Sequence, residues 1–280
     1  MIKLACTSRS FWRAFDDGSM AVVDFIEVCR ELGLDGVDLD AGYLASFDHT
    51  YLWEIKGACL QGGLSIANIA VPSNFTLPPS ELPTELDRVK TYLDAASFLN
   101  APMVSLSPGG EGPLDDAAWE RLVAYVRAAA DYGESVGVMV AIRNDSPHGP
   151  LATGSDVLRL VDDVRHSHFG YAMQAGQFAD PPESVVQTAR LALQVTVPVG
   201  PGAPLDVAQT LELLRETGYN AFVALDLSGQ ADPRAAAVRA VPVTEPVSGI
   251  AFGAYPELTW PNTSTVPVRG STRRDSRPGS

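Results

Sequence analysis

The stretch VCRELGLDGVDLD, residues 28–40, is typical of a helix that leads directly into a buried strand. Before and within it, apolar residues recur at three- and four-residue spacing from Val22 to Leu32, which gives a helix over 21–32 one buried face. Gly33 follows, as glycine often does where a helix ends. The short run 35–40 then predicts a strand. Together they form the repeating unit of a parallel sheet covered by helices.

The same unit recurs along the chain. Eight strands are predicted, at 2–7, 35–40, 64–69, 103–107, 138–142, 170–174, 193–197 and 222–227. Further helices are predicted over 85–99, 117–136, 155–164 and 205–217, with a shortened last helix over 232–241. A chain of 280 residues, 46% of them hydrophobic, has the size of one (β/α)8 TIM barrel and can bury its core.

An open doubly wound sheet is the alternative for eight parallel strands. That fold usually carries a Gly-rich phosphate-binding turn after its first strand, whereas this chain reads SRSFWRAF over 8–15. We therefore predict an α/β single-domain TIM barrel over 1–241. The segment 242–280, rich in Pro, Ser and Arg, is predicted to be irregular, and disordered from about Val268.

Composition limits the partners and the compartment. A formal charge of −14 argues against a nucleic-acid surface and favours a small-molecule substrate. The chain has neither a signal-peptide pattern at its start nor a run of 18 apolar residues, so we expect no membrane association and a cytoplasmic location. Cys6, Cys29 and Cys59 have no metal-ligand spacing and are predicted to be reduced core thiols. A homodimer is compatible with such a chain.

Several segments resemble the xylose-isomerase-like superfamily, which includes sugar-phosphate isomerases, ketose epimerases and inosose dehydratases. VCRELGLDGVDLD is similar to its first helix and second strand. The segments similar to later units, in the family's order, are GLSIANIAVPSNF (63–75), YLDAASFLNAPMVSLSPG (92–109), ADYGESVGVMVAIRND (130–145) and GYNAFVALDLSG (218–229). The resemblance covers roughly residues 1–240 and implies the same barrel.

In that family a divalent ion lies at the C-terminal mouth of the barrel, held by Glu, Asp, His and Glu from strands five to eight. The residues that the resemblance places at these positions are Arg143, Gln174, Gln194 with Thr196 at two histidine positions, and Asp226. Amides, a hydroxyl, one carboxylate and a fixed cation are a poor donor set for a hard cation or a transition metal. We therefore expect no bound metal and no other cofactor.

The ends of the barrel strands are where this fold places its active site, so the altered positions should converge. We expect Arg143 and Asp226 to form an ion pair across the mouth, either as part of a site or merely as a salt bridge that fills the vacated cavity. Asp226 is the candidate proton acceptor and Arg143 the candidate stabiliser of an oxyanion. His148, in the loop after strand five, is a candidate acid or base, or else a solvated loop residue.

Other polar residues near strand ends are candidates for substrate binding. They are Gln174, Gln177, Gln194, Thr196, Asn68, Asn74 and Ser107. Arg9 and Trp12, with Arg13, follow the first strand and could hold an anionic or planar ligand, or simply pack at a helix start.

Three functions fit these observations. The first is a metal-independent isomerase, epimerase or lyase that acts on a polyhydroxylated or cyclic small molecule. The second is a catalytically silent barrel that binds a ligand or a partner. The third is a barrel recruited to another reaction, such as cyclisation or dehydration in secondary metabolism.

Overall fold

The computed structural model describes residues 2–200 and 202–244, and within them eight parallel strands close into a barrel in sequence order. The strands are β1 Lys3–Thr7, β2 Gly36–Asp40, β3 Ser65–Val71, β4 Met103–Leu106, β5 Met139–Arg143, β6 Phe169–Gln174, β7 Ala192–Pro198 and β8 Phe222–Asp226. The first strand pairs with both β2 and β8, which closes the sheet. The predicted TIM barrel is confirmed, and the open sheet is excluded.

Helices cover the outside of the barrel. They are α1 Trp12–Asp16, α2 Val22–Glu31, α3 His49–Gly62, α4 Leu82–Leu99, α5 Asp116–Val136, α6 Gly154–Val164, α7 Pro181–Thr188, α8 Val207–Glu216 and α9 Pro233–Thr244. Of these helices, α1, α3 and α7 were not predicted from the sequence. The missed α3 has an exposed Trp53 and Leu60, which blur the apolar stripe that periodicity depends on.

The helix and strand in 28–40 form as predicted. Val22, Phe25, Ile26 and Cys29 are buried on the inner face of α2. Gly33 follows with φ of 70°, a left-handed conformation that glycine adopts without strain. The strand β2 then begins at Gly36, where an added Cβ would lie 2.6 Å from the Ser65 carbonyl oxygen. Glycine thus permits the close approach of β2 to β3.

Three further predictions concern the cysteines, membrane-spanning helices and the end of the barrel. Cys6, Cys29 and Cys59 are free and buried, as predicted for core thiols. None of the helices within the described ranges is long and apolar enough to cross a membrane. The last described helix, α9, continues to Thr244, three residues past the predicted barrel end at 241. The predicted irregular segment lies outside the described residues from 245 onward.

Candidate active site

A cavity of about 620 Å³ opens at the C-terminal ends of the strands. Eight of the thirteen candidate residues line it: Arg9, Asn74, Ser107, Arg143, Gln174, Gln177, Thr196 and Asp226. They converge because parallel strands of a barrel all end at the same mouth, and side chains of one parity point inward. The expectation that the altered positions converge is thus confirmed for Arg143, Gln174, Thr196 and Asp226.

The other five candidates lie elsewhere. Arg13 is exposed, and its Nη1 donates to the Gln230 carbonyl oxygen at 3.3 Å. His148 is exposed away from the cavity, and its backbone N–H donates to Ser146 Oγ at 3.1 Å. Trp12 lies beside the cavity in a neighbouring surface pocket, where its indole N–H donates to the Ser228 carbonyl oxygen at 3.3 Å. Asn68 and Gln194 are both 2% exposed and lie within the barrel below the cavity. None of these five side chains lines the cavity.

Arg143 does not form the expected ion pair with Asp226. Its Nε–H instead donates to Asp145 Oδ1 at 2.9 Å, and its Nη1 donates to Ser105 Oγ at 3.3 Å. Asp145 lies two residues further along the same chain segment, whereas β6 and β7 separate β5 from β8. The nearer carboxylate therefore takes the guanidinium. The side chain of Arg143 is 12% exposed and still lines the cavity, so its charge is held at a fixed place in the wall.

Asp226 ends β8 and lines the same cavity. Its Oδ1 accepts a hydrogen bond from the Ser228 backbone N–H at 2.9 Å, which fixes the carboxylate in a turn. Among the described residues no Lys, Arg or His lies within ion-pair distance of it. Asp226 is therefore a half-buried carboxylate without a paired cation, and its second oxygen remains available in the cavity.

Asp38, which was not among the predicted site residues, lies on β2 and lines the cavity although it is only 3% exposed. Its Oδ2 accepts from Gln194 Nε2 at 2.5 Å, and its Oδ1 accepts from Asn68 Nδ2 at 3.1 Å. Asn68 Nδ2 also donates to Ser105 Oγ at 2.8 Å. The network therefore runs through the barrel interior from β7 to β2, β3 and β4, and ends at Arg143.

Burial raises the pKa of Asp38 from its ordinary value of 3.8 to about 6. The hydrogen bond from Gln194 and the charge of Arg143 both lower that pKa, but they do not cancel the cost of removing the carboxylate from water. A signal for this residue was present in GVDLD, because Asp38 and Asp40 alternate with apolar residues and so share the barrel-facing side of the strand.

The residues present do not fit the divalent ion that the fold family implies. Arg143 places a guanidinium at the first ligand position. Gln174 and Thr196 occupy the second and third positions, and Gln174 Nε2 donates to Thr196 Oγ1 at 3.2 Å. The carboxylate of Asp226 is the single anionic donor among the four positions. Within the described ranges, no group of three or more His, Cys, Asp or Glu side chains is arranged to hold a metal. A hard cation needs several oxygen donors, and this set supplies too few.

The closed barrel with a polar cavity at its C-terminal mouth defines an α/β-barrel protein of the kind that binds small molecules at that end. A family model described as "xylose isomerase-like TIM barrel" matches residues 26–243. The chain belongs to this family.

Solved structures share the fold at low sequence identity. D-psicose 3-epimerase from Clostridium cellulolyticum H10 is 17% identical, with a TM-score of 0.69 over 86% of this chain and 97% of that one. A 3-keto-D-glucoside 4-epimerase from E. coli is 14% identical, with a TM-score of 0.70 over 86% and 98%. A probable 3-DHS dehydratase from Bacillus anthracis is 14% identical, with a TM-score of 0.72 over 86% and 99%. A comparison with curated proteins gives no significant match.

Proposed function

We propose that this protein is a metal-independent isomerase, epimerase or lyase that moves a proton next to a carbonyl group of a polyhydroxylated or cyclic small molecule. One observation carries the proposal. Asp226 enters the cavity as a carboxylate without a cationic partner among the described residues, while Arg143 holds a fixed positive charge in the wall of the same cavity. A base and an oxyanion stabiliser are the two groups that such a proton transfer needs.

The Asp226 carboxylate accepts the proton from the carbon next to the substrate carbonyl, and the electrons of that C–H bond form the C=C bond of an enolate. The charge that develops on the carbonyl oxygen is stabilised by the Arg143 guanidinium. Return of a proton to the other face of the same carbon gives an epimer. Delivery of a proton to the former carbonyl carbon, with loss of the proton from the hydroxyl on the neighbouring carbon, gives an isomer. Departure of a hydroxyl from the next carbon as water, with the proton that Asp226 accepted, gives a dehydrated product.

Polar side chains around the cavity suit a substrate with several hydroxyl groups. Gln174, Gln177 and Thr196 lie on one side, and Asn74 and Ser107 on another. Amide and hydroxyl groups both donate and accept, so they can match hydroxyls in either role. The structural neighbours named above are two sugar epimerases and a probable dehydratase, which supports the same class of substrate and reaction for this chain. The proposal places the enzyme in the cytoplasm.

A catalytically silent binding barrel is the second candidate, and one observation favours it. Arg143 is already hydrogen-bonded to Asp145, to Ser105 and to the Val71 carbonyl oxygen. These contacts offset part of the charge that an oxyanion would need. A barrel recruited to cyclisation or dehydration is a variant of the first candidate, because it uses the same base.

The two candidates are separated by solvent-deuterium exchange. Protein dialysed against a chelator is incubated in D₂O with ketopentoses, ketohexoses and hydroxylated cyclic ketones, and proton NMR follows the signal of the hydrogen next to each carbonyl. We expect at least one substrate to exchange. Asp226→Asn should slow that exchange by about 10²-fold or more while binding persists, because the amide keeps the shape but cannot accept a proton.

Asp116→Asn is the matched control, since Asp116 is exposed on α5 away from the cavity and should leave the rate unchanged. Exchange at the wild-type rate in Asp226→Asn would remove that residue from the mechanism. Sugars that bind without exchange in the wild-type protein would instead support the binding barrel.

A further inference from the structure

Asp38 and Asp226 lie on strands on either side of β1 and enter the same cavity at different depths. Asp38 is 3% exposed and is bonded to Asn68 and Gln194 in the barrel interior, so it lies at the floor of the cavity. Asp226 ends β8 and is half-buried nearer the mouth. The difference in depth follows from the tilt of barrel strands, which places residues in register on successive strands at different heights along the axis. A substrate in the cavity can therefore meet the two carboxyl groups from different directions.

The surroundings of Asp38 suit a group that gains and loses a proton. As a carboxylate it accepts one N–H from Gln194 and one from Asn68. The side-chain oxygens of these two amides are buried and have no hydrogen-bond partner among residues 2–200 and 202–244. Rotation of either amide by half a turn would present its oxygen to Asp38, where it would accept the proton of a neutral carboxylic acid. Ser105 can then donate to the oxygen of the rotated Asn68, so the neutral form of Asp38 also finds a hydrogen-bond acceptor.

The charged groups that act on Asp38 oppose one another. Arg143 favours the carboxylate and Asp40 disfavours it, and no cation among the described residues lies within ion-pair distance of Asp38. A carboxyl group that served only to cross-link strands would be expected to have a cation or more donors, because an unpaired buried charge is costly. Asp38 instead has two amide donors and faces the substrate cavity.

We propose that Asp38 is a second catalytic residue of this site, which exchanges a proton with the substrate from the floor of the cavity. The inference rests on the proposed function and extends it to a mechanism with two carboxyl groups. In epimerisation, Asp226 takes the proton from one face of the carbon and Asp38 delivers its own proton to the other face. Asp226 ends protonated and Asp38 ionised, and exchange with solvent restores the starting state. In dehydration, the Asp38 proton goes to the departing hydroxyl, which leaves as water.

The test uses any substrate that exchanges in the assay above. In Asp38→Asn, we expect Asp226-dependent exchange of the hydrogen next to the carbonyl to persist with retained configuration, while formation of epimer or dehydrated product falls by about 10²-fold or more. Asp116→Asn should match the wild-type protein in both rates, and melting curves establish that each variant is folded. Product formation at the wild-type rate in Asp38→Asn, or equal loss of exchange and product, would overturn the inference.

A second measurement needs no variant and applies where the product is an epimer. With two residues, the epimer from the first turnovers in D₂O carries solvent deuterium at the inverted carbon. If Asp226 alone carried the proton between faces, part of that epimer would keep the hydrogen of the substrate, which would contradict the proposal. A wild-type protein that exchanges none of the substrates would refute the proposed function, and this inference with it. Normal exchange in the wild-type protein, with product formation in Asp38→Asn at the wild-type rate, would refute only the role of Asp38.

Discussion

Replacement of Asp38 by Asn should change how the stability of the protein depends on pH. The pKa of Asp38 is raised from 3.8 to about 6 in the folded state, so the folded protein binds this proton more tightly than the unfolded chain does. The contribution of Asp38 to the free energy of unfolding is therefore most favourable below about pH 4. It falls as the pH rises through about 6 and is constant at higher pH. A shift of about two pKa units corresponds to a cost of about 3 kcal/mol at neutral pH.

The effect is measurable between two accessible pH values. With the folded pKa near 6, roughly half of this cost is present at pH 5 and nearly all of it at pH 8. Urea unfolding of the wild-type protein and of Asp38→Asn should thus give a difference in free energy of unfolding that moves by roughly 1–2 kcal/mol in favour of the variant between pH 5 and pH 8. Other titrating groups contribute equally to both proteins and cancel in this comparison.

Asp116→Asn again serves as the control, because its exposed side chain should leave the pH dependence as in the wild-type protein. In Asp38→Asn, the new side-chain oxygen can still accept from one of the two amides, and a half-turn of the other lets its oxygen accept from the new N–H group, so we expect the variant to fold. Parallel pH dependences in the wild-type protein and Asp38→Asn would refute the reasoning, since they would mean that this carboxyl group keeps an ordinary pKa when buried.

Other expectations concern the ion pairs and the end of the chain. Because Arg143 and Asp226 do not pair, Arg143→Met and Asp226→Asn should have additive effects on the free energy of unfolding within about 0.5 kcal/mol in a double-mutant cycle. Arg143→Met and Asp145→Asn should instead be coupled by about 0.5–1 kcal/mol, because that partly exposed pair is in contact. Deletion of the residues after Val268 should shift the melting temperature by no more than about 2 °C, since RGSTRRDSRPGS has no apolar periodicity with which to pack. A larger drop would show that this segment stabilises the barrel.

The fold could be predicted from the sequence because its signals are local and repeated. Each of the eight predicted strands overlaps an observed one, since every strand is a short apolar run between helices of regular period. The positions of Arg143, Gln174, Thr196 and Asp226 followed from the fold, because a residue at the end of a barrel strand must lie at the mouth.

The contacts within the site could not be predicted in the same way. Sequence order placed Arg143 and Asp226 at one mouth but did not show that Asp145 lies nearer to the guanidinium. Asp38 could not be identified as a site residue from the sequence, because its partners Asn68 and Gln194 come 30 and 156 residues later. They contact it only inside the closed barrel. Alternation in GVDLD indicates which way Asp38 faces, whereas its degree of burial depends on the whole barrel.

The most direct test of the central claim measures metal content and proton exchange on one preparation of the wild-type protein. We expect elemental analysis to find no stoichiometric divalent metal, because Arg143 and the amide and hydroxyl groups at the other positions are a poor donor set. The same protein, dialysed against a chelator, should exchange its substrate's hydrogen in D₂O at the rate of the undialysed sample. About one Mn, Mg, Zn or Co per chain, with exchange that stops on chelation and returns when that metal is restored, would contradict the account.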